Sequence, residues 1–169
     1  DENDEEAEVG IPGEMAVRGP TLFSGYWNAE ETNLRDFRNG WFHMGDMFRR
    51  NENGTFDFVD RAKYLIKSGG ENIYPAEIER VLLSDERIAE AVVVKRSDSL
   101  WGEVPVAVIA CSTLPMTEEQ VFEICRPKLA GYKQPKAVLF CSLDDFPRST
   151  TGKILRHEIE EMVEQKQAQ

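Results

Sequence analysis

The sequence predicts an α+β fold: a compact C-terminal α+β domain, with a three-stranded sheet, helices and a small hairpin, preceded by a β-rich segment from the edge of a larger β-barrel subdomain. Three observations carry this. Within residues 1 to about 60, Gly13 to Gly19 alternates in the strand manner, and the turn dipeptides Asn39-Gly40 and Asn53-Gly54 separate aromatic-rich runs that also read as strands. Two later runs, Ile88 to Lys95 and Val104 to Cys111, have the unbroken Val/Ile/Ala character of strands buried on both faces. Around them lie segments whose apolar residues recur at helical spacing. The expected domains are 1–60 and 61–169.

In the first domain Gly13 to Gly19 reads as a strand, and the aromatic-rich runs flanking the two Asn-Gly turns read as further strands, so this part is expected to be all-β. It is short for an independent barrel and suits the edge of a larger one. From Asp60 the texture changes. Tyr64 to Lys67 is a short strand, Gly69-Gly70 a turn, and Pro75 to Leu83 a helix with proline at its start. Ser97 to Gly102 connects the two apolar strands. Thr117 with Gln120 three residues on is a helix start of the capping-box kind, and the helix is expected to run to about Leu129. Lys136 to Cys141 is a strand. A last helix from Leu155 to about Gln165 places Leu155, Ile159, Met162 and Val163 on one face.

Composition narrows the function. The balance of 20 basic against 31 acidic residues gives −11, with no basic stretch able to neutralise a run of phosphates, which argues against a nucleic-acid partner. No apolar run approaches the roughly 20 residues of a membrane span. The three cysteines, Cys111, Cys125 and Cys141, are odd in number and sit in or beside apolar runs, so they read as core thiols in a reducing, cytoplasmic setting. The chain opens on acidic residues without an initiator methionine, as expected of a piece of a longer polypeptide.

Four segments stand out for chemistry: Trp41-Phe42-His43-Met44-Gly45-Asp46, Asp60-Arg61-Ala62-Lys63, Lys67-Ser68-Gly69-Gly70-Glu71, and Pro147-Arg148-Ser149-Thr150-Thr151-Gly152-Lys153-Ile154-Leu155-Arg156. In this order they resemble the C-terminal part of the acyl-adenylate-forming (AMP-binding) superfamily, the acyl-CoA synthetase branch in particular. Gly25-Tyr26-Trp27-Asn28 resembles a further family segment, read here as a structural turn.

The resemblance implies a role for each matching residue. Asp46 would accept hydrogen bonds from both ribose hydroxyls of a nucleotide, a task suited to a carboxylate, and Arg61 would help hold the ribose. Lys63 falls at the hinge about which the family rotates its C-terminal domain between two poses. Lys67, Gly69 and Gly70 would line the tunnel for the thiol arm of CoA and serve thioester formation. Lys153 would bridge the attacking carboxylate and the α-phosphate of ATP in the first half-reaction, where a placed cation stabilises gathering negative charge. Met44 stands where the family often has threonine and Asp60 where it usually has glycine, both mild departures.

By the same resemblance the reaction is carboxylic acid plus ATP plus CoA to acyl-CoA, AMP and pyrophosphate through an acyl-adenylate. The ligands of Mg²⁺, the phosphate loop and the acyl pocket would belong to an upstream N-terminal domain, so the chain alone is expected to be inactive. Fatty, aromatic and small branched acids all remain open. A domain serving a carrier protein, a luciferase-type oxidase and a non-catalytic interaction module are the alternatives. Three motifs are set aside. His157-Glu158 begins like a zinc-protease helix but Glu161 stands where the second histidine is needed. Gly152-Lys153 lacks the upstream glycine of a P-loop. His43, alone among aromatics, reads as structural, and no metal site is assigned.

Overall fold

The computed structural model describes every residue except 2, 168 and 169, and separates into two compact units, Asp1–Lys63 and Tyr64–Gln169. The first unit holds β1 (Pro12–Val17), α1 (Glu30–Asp36), β2 (Phe37–Arg38), β3 (Trp41–Arg50) and β4 (Phe56–Arg61). All pairing is antiparallel and centred on β3: β1 lies along one edge, while β2 and β4 share the other. Asn39 and Gly40 both adopt positive φ, 53° and 78°, the mirror-image turn that matches strand twist between β2 and β3.

The expectation of an all-β first segment fails at α1. This helix buries none of its residues and leaves Leu34 at 73% exposure, so no apolar stripe announced it. Two local features hold it: Glu30 and Glu31 in its first turn and Arg35 in its last complement the helix dipole. Asn33 also clasps the preceding turn, accepting from Tyr26 N–H at 2.7 Å and donating to Tyr26 C=O at 2.8 Å. Gly25 to Asn28 is therefore an irregular turn docked on a helix.

The second unit contains β5 (Ile66–Ser68), β6 (Glu71–Ile73), α2 (Pro75–Leu82), β7 (Ile88–Asp98), β8 (Gly102–Cys111), α3 (Glu118–Cys125), β9 (Ala137–Phe140) and α4 (Arg156–Gln167). Its heart is the three-stranded group β7, β8 and β9, with β7 antiparallel and β9 parallel to β8. The small hairpin β5–β6 joins this group through one pair, Ser68 with Gly102. Successive residues point to opposite faces. Ala91, Val93, Ala107 and Ile109 face a core closed by Ile78 and Leu82 of α2 and Val121 and Cys125 of α3. Val92, Val94, Val106 and Val108 face a second core closed by Ile159 and Val163 of α4 and by Phe146. Helices on both faces explain why β7 and β8 read as continuous apolar runs.

Element ends differ from the expected ones for identifiable reasons. The chain makes a 3₁₀ turn at Ala62–Tyr64 before β5 starts at Ile66, because the Tyr64 ring packs under the Arg156 guanidinium, 4.8 Å from its centroid, instead of joining the sheet. Helix α3 stops at Cys125, two residues before Pro127, and Lys128 and Leu129 both donate to Cys125 C=O. Its start is as expected: Thr117 and Gln120 cap each other's backbone N–H groups. Thr117→Ala is expected to destabilise this unit by about 1 kcal/mol, read as a lower urea midpoint at unchanged slope. All three cysteines are free. Cys125 is fully buried, which pushes its thiol up to about 11, while Cys111 and Cys141 are half-buried and pack against the two cores.

Candidate functional site

Asp46 sits on β3 directly opposite Arg61 on β4. A bulge aims it there: the β1–β3 register slips between Glu14 and Ala16, and Gly45 takes φ +73° within the slip, a conformation glycine adopts without steric cost. Glu14 fixes the bulge from below. Its Oε1 accepts from Gly45 N–H at 3.1 Å, and its Oε2 lies 3.1 Å from both Arg38 and the Nδ1 of buried His43. His43 is thus part of the support of the bulge.

Arg61 Nε stands 3.0 Å from Asp46 Oδ1, close enough for an ion pair. That oxygen is nevertheless buried and accepts no hydrogen bond. Distance alone does not make a hydrogen bond, and an ionised carboxylate has several lone-pair sites. Asp46 therefore has acceptor capacity to spare beside a cation, an arrangement that fits vicinal hydroxyls as donors. Lys63 lies exposed in the 3₁₀ turn and is the last residue of the first unit.

In the second unit, Lys67, Gly69 and Gly70 come together on the β5–β6 hairpin. Gly69 and Gly70 have φ of +58° and +86°, so the two-residue turn needs left-handed residues at both positions. Trp101 closes over it. Gly69 N–H donates to Trp101 C=O at 2.8 Å, and a Cβ on Gly69 would meet the Trp101 ring at 2.7 Å. Trp101 is itself held by its N–H, which donates to Asp98 Oδ1 at 3.0 Å. Lys67 N–H donates to Glu103 Oε2 at 2.9 Å, and Glu103 Oε1 pairs with Lys95 at 3.3 Å. Lys67 itself is exposed.

Lys153 ends a tight loop. Ser149 N–H donates to Lys153 C=O at 2.8 Å, Gly152 N–H to Ser149 C=O at 2.8 Å, and Lys153 N–H to Ser149 Oγ at 3.2 Å. Gly152, at φ +81°, makes the reversal possible. The backbone of Lys153 is pinned while its side chain is exposed. Arg148 ties the loop to the sheet, donating to Gly152 C=O at 3.1 Å and to Glu90 at 2.7 Å.

The second unit does not bring the two lysine sites together. The Lys153 loop is anchored at Glu90, near the start of β7, and the glycine hairpin beside Asp98 and Gly102, at its end. From Glu90 to Asp98 the strand runs eight residues, about 26 Å at roughly 3.3 Å each.

Residues 77–153 match the model of the AMP-binding enzyme C-terminal domain. That segment is an AMP-binding enzyme C-terminal domain. The chain is 45% identical over 155 residues to a 2-succinylbenzoate–CoA ligase of Bacillus cereus, covering 92% of this chain and 32% of the ligase. Among solved structures it is similar to o-succinylbenzoate coenzyme A synthetase from Bacillus subtilis in complex with ATP and magnesium ion. That match has a TM-score of 0.81 and 38% identity, and covers 91% of this chain and 31% of the other. It is also similar to an anthranilate CoA ligase in complex with anthranoyl-AMP, with a TM-score of 0.87 and 25% identity over 100% of this chain and 33% of the other. The chain thus spans about a third of the length of the relatives it matches.

No helix among the described residues is long and apolar enough to cross a membrane. None of their His, Cys, Asp and Glu side chains form a group of three that could hold a metal ion. Motif order pointed to Lys153 and the glycine hairpin. Nothing in the sequence singled out the partners that hold them, Arg148 with Glu90 and Trp101 with Gly69, because each contact joins segments remote along the chain.

Proposed function

We propose that this chain is the C-terminal part of an AMP-forming acid–CoA ligase, working with an upstream N-terminal domain that supplies the acyl pocket, the phosphate loop and Mg²⁺. The observation that carries the reading is the spacing of the two lysine sites at opposite ends of the β7–β8 ribbon. A rigid sheet cannot present both to one reacting centre, so each end suits one of two successive half-reactions.

In the first, a carboxylate oxygen attacks the α-phosphorus of ATP and pyrophosphate leaves, giving acyl-AMP. The Lys153 ammonium, held by a pinned backbone, lies between the two anionic groups and stabilises the charge that gathers as the new bond forms. Asp46 accepts from the ribose hydroxyls and Arg61 holds the same sugar. In the second, the CoA thiolate attacks the acyl carbonyl carbon and AMP leaves. Lys67 and the Gly69-Gly70 turn, without side chains on the glycines, let the thiol arm approach the backbone closely. Lys63, at the junction of the two units, absorbs the backbone change that exchanges one end for the other. Three free cysteines suit a reducing compartment, so the cytoplasm is the proposed location.

The first acid to try is 2-succinylbenzoate, the substrate named for the relative at 45% identity. The test is mass-spectrometric detection of acyl-AMP and acyl-CoA from the complete protein given ATP, CoA and a panel of succinylbenzoate, anthranilate and fatty acids. Acyl-CoA with equimolar AMP is expected. Acyl-AMP alone points to a carrier protein as acceptor, and neither product from any acid contradicts the proposal. Asp46→Ala is expected to raise the KM for ATP by about tenfold or more, the loss of a charge-assisted hydrogen-bond pair, with the KM for the acid little changed.

A further inference from the structure

Strand β7 is the outer strand of its sheet, so its far edge carries peptide groups with no strand partner. At Val93 side chains take them up. Glu79 Oε1 accepts from Val93 N–H at 2.7 Å, Arg156 donates to Val93 C=O at 2.8 Å, and Arg156 and Glu79 close on each other at 2.7 Å. Both side chains are well covered, 17% and 13% exposed, and the Arg156 guanidinium lies over the Tyr64 ring, next to Lys63. Arg156 follows Lys153 by three residues and opens α4. On the other flank of the loop Arg148 reaches Glu90 of the same strand.

We infer that Arg156 is a positioning residue for Lys153, strapping the loop that carries it to the open edge of β7 and to the residue beside the hinge. A covered ion pair costs desolvation, and apolar side chains of similar volume often stabilise such a place equally well. What they cannot supply is the planar guanidinium that holds a carboxylate, a peptide C=O and an aromatic face at once. With both flanks of the loop strapped to one strand, Lys153 moves only as the whole unit moves. Its ammonium then reaches the reacting groups in one register.

The inference rests on the ligase reading. In the complete ligase, two rates are measured for Arg156→Gln, Arg156→Lys and Glu79→Gln: acyl-AMP formation in the first turnover, and acyl-CoA formation from supplied acyl-AMP. Arg156→Gln should slow adenylation by about 10- to 100-fold, as a misplaced catalytic group does, and leave the thioester step within about twofold. Arg156→Lys, which keeps the charge but loses the fork, and Glu79→Gln, which keeps the shape, should fall in between with the same selectivity. Equal loss in both steps, or no loss in either, overturns the positioning role. Lys153→Ala run alongside separates the two ideas: if it adenylates normally the ligase reading fails, whereas if it is impaired and Arg156→Gln is not, only the positioning role fails.

Discussion

Lys153→Ala is expected to lower the rate of acyl-adenylate formation by about 10²–10³-fold, the scale seen when one preorganised charge-stabilising group is removed. The loop itself should survive the change. Its hydrogen bonds run through the backbone of Lys153, to Ser149 Oγ and Ser149 N–H, and through Gly152. The side chain is exposed and contributes nothing to either core. Loss of adenylation with an unchanged unfolding midpoint is therefore the expected pair of results, read by pyrophosphate release and by urea titration.

Gly69→Val is expected to produce the opposite selectivity, a fall of at least about tenfold in thioester formation with adenylation retained. Two costs add at this position. A left-handed conformation disfavours any residue with a Cβ by about 1–2 kcal/mol, and at φ +58° the added Cβ would meet the Trp101 ring at 2.7 Å. Trp101 is 48% exposed, so the strain is relieved by moving the indole and the turn outward rather than by unfolding the sheet. The surface altered is the one proposed for the thiol arm. The Lys153 loop, at the far end of β7, is untouched. Single-turnover rates of the two half-reactions, measured on the same preparation, check this.

How much of this was legible in the sequence depended on how local each signal is. Strands β7 and β8 could be read because each is buried on both faces, and α3 because Thr117 and Gln120 cap each other three residues apart. The reversal at Gly152 could be read because a glycine before a helix marks a turn, while a role for Lys153 came only from the resemblance of the ordered motifs. Helix α1 could not, since its residues pack against no core and leave no periodicity. The brace behind Lys153 was equally hidden: Arg156 and Glu79 are 77 residues apart, and an ion pair between remote segments has no spacing to detect. The same holds for Trp101, which reads as part of a turn until the fold sets its ring on Gly69.

The two half-reactions are divided between the two ends of one rigid sheet. The measurement that tests this division is the rate at which the Lys153→Ala enzyme converts supplied acyl-AMP and CoA to acyl-CoA. A rate close to that of the unaltered enzyme is predicted, because Lys153 belongs to the other end of the β7–β8 ribbon and to the other step. A loss comparable to that in adenylation would place Lys153 in both steps and contradict the division of labour argued from the structure.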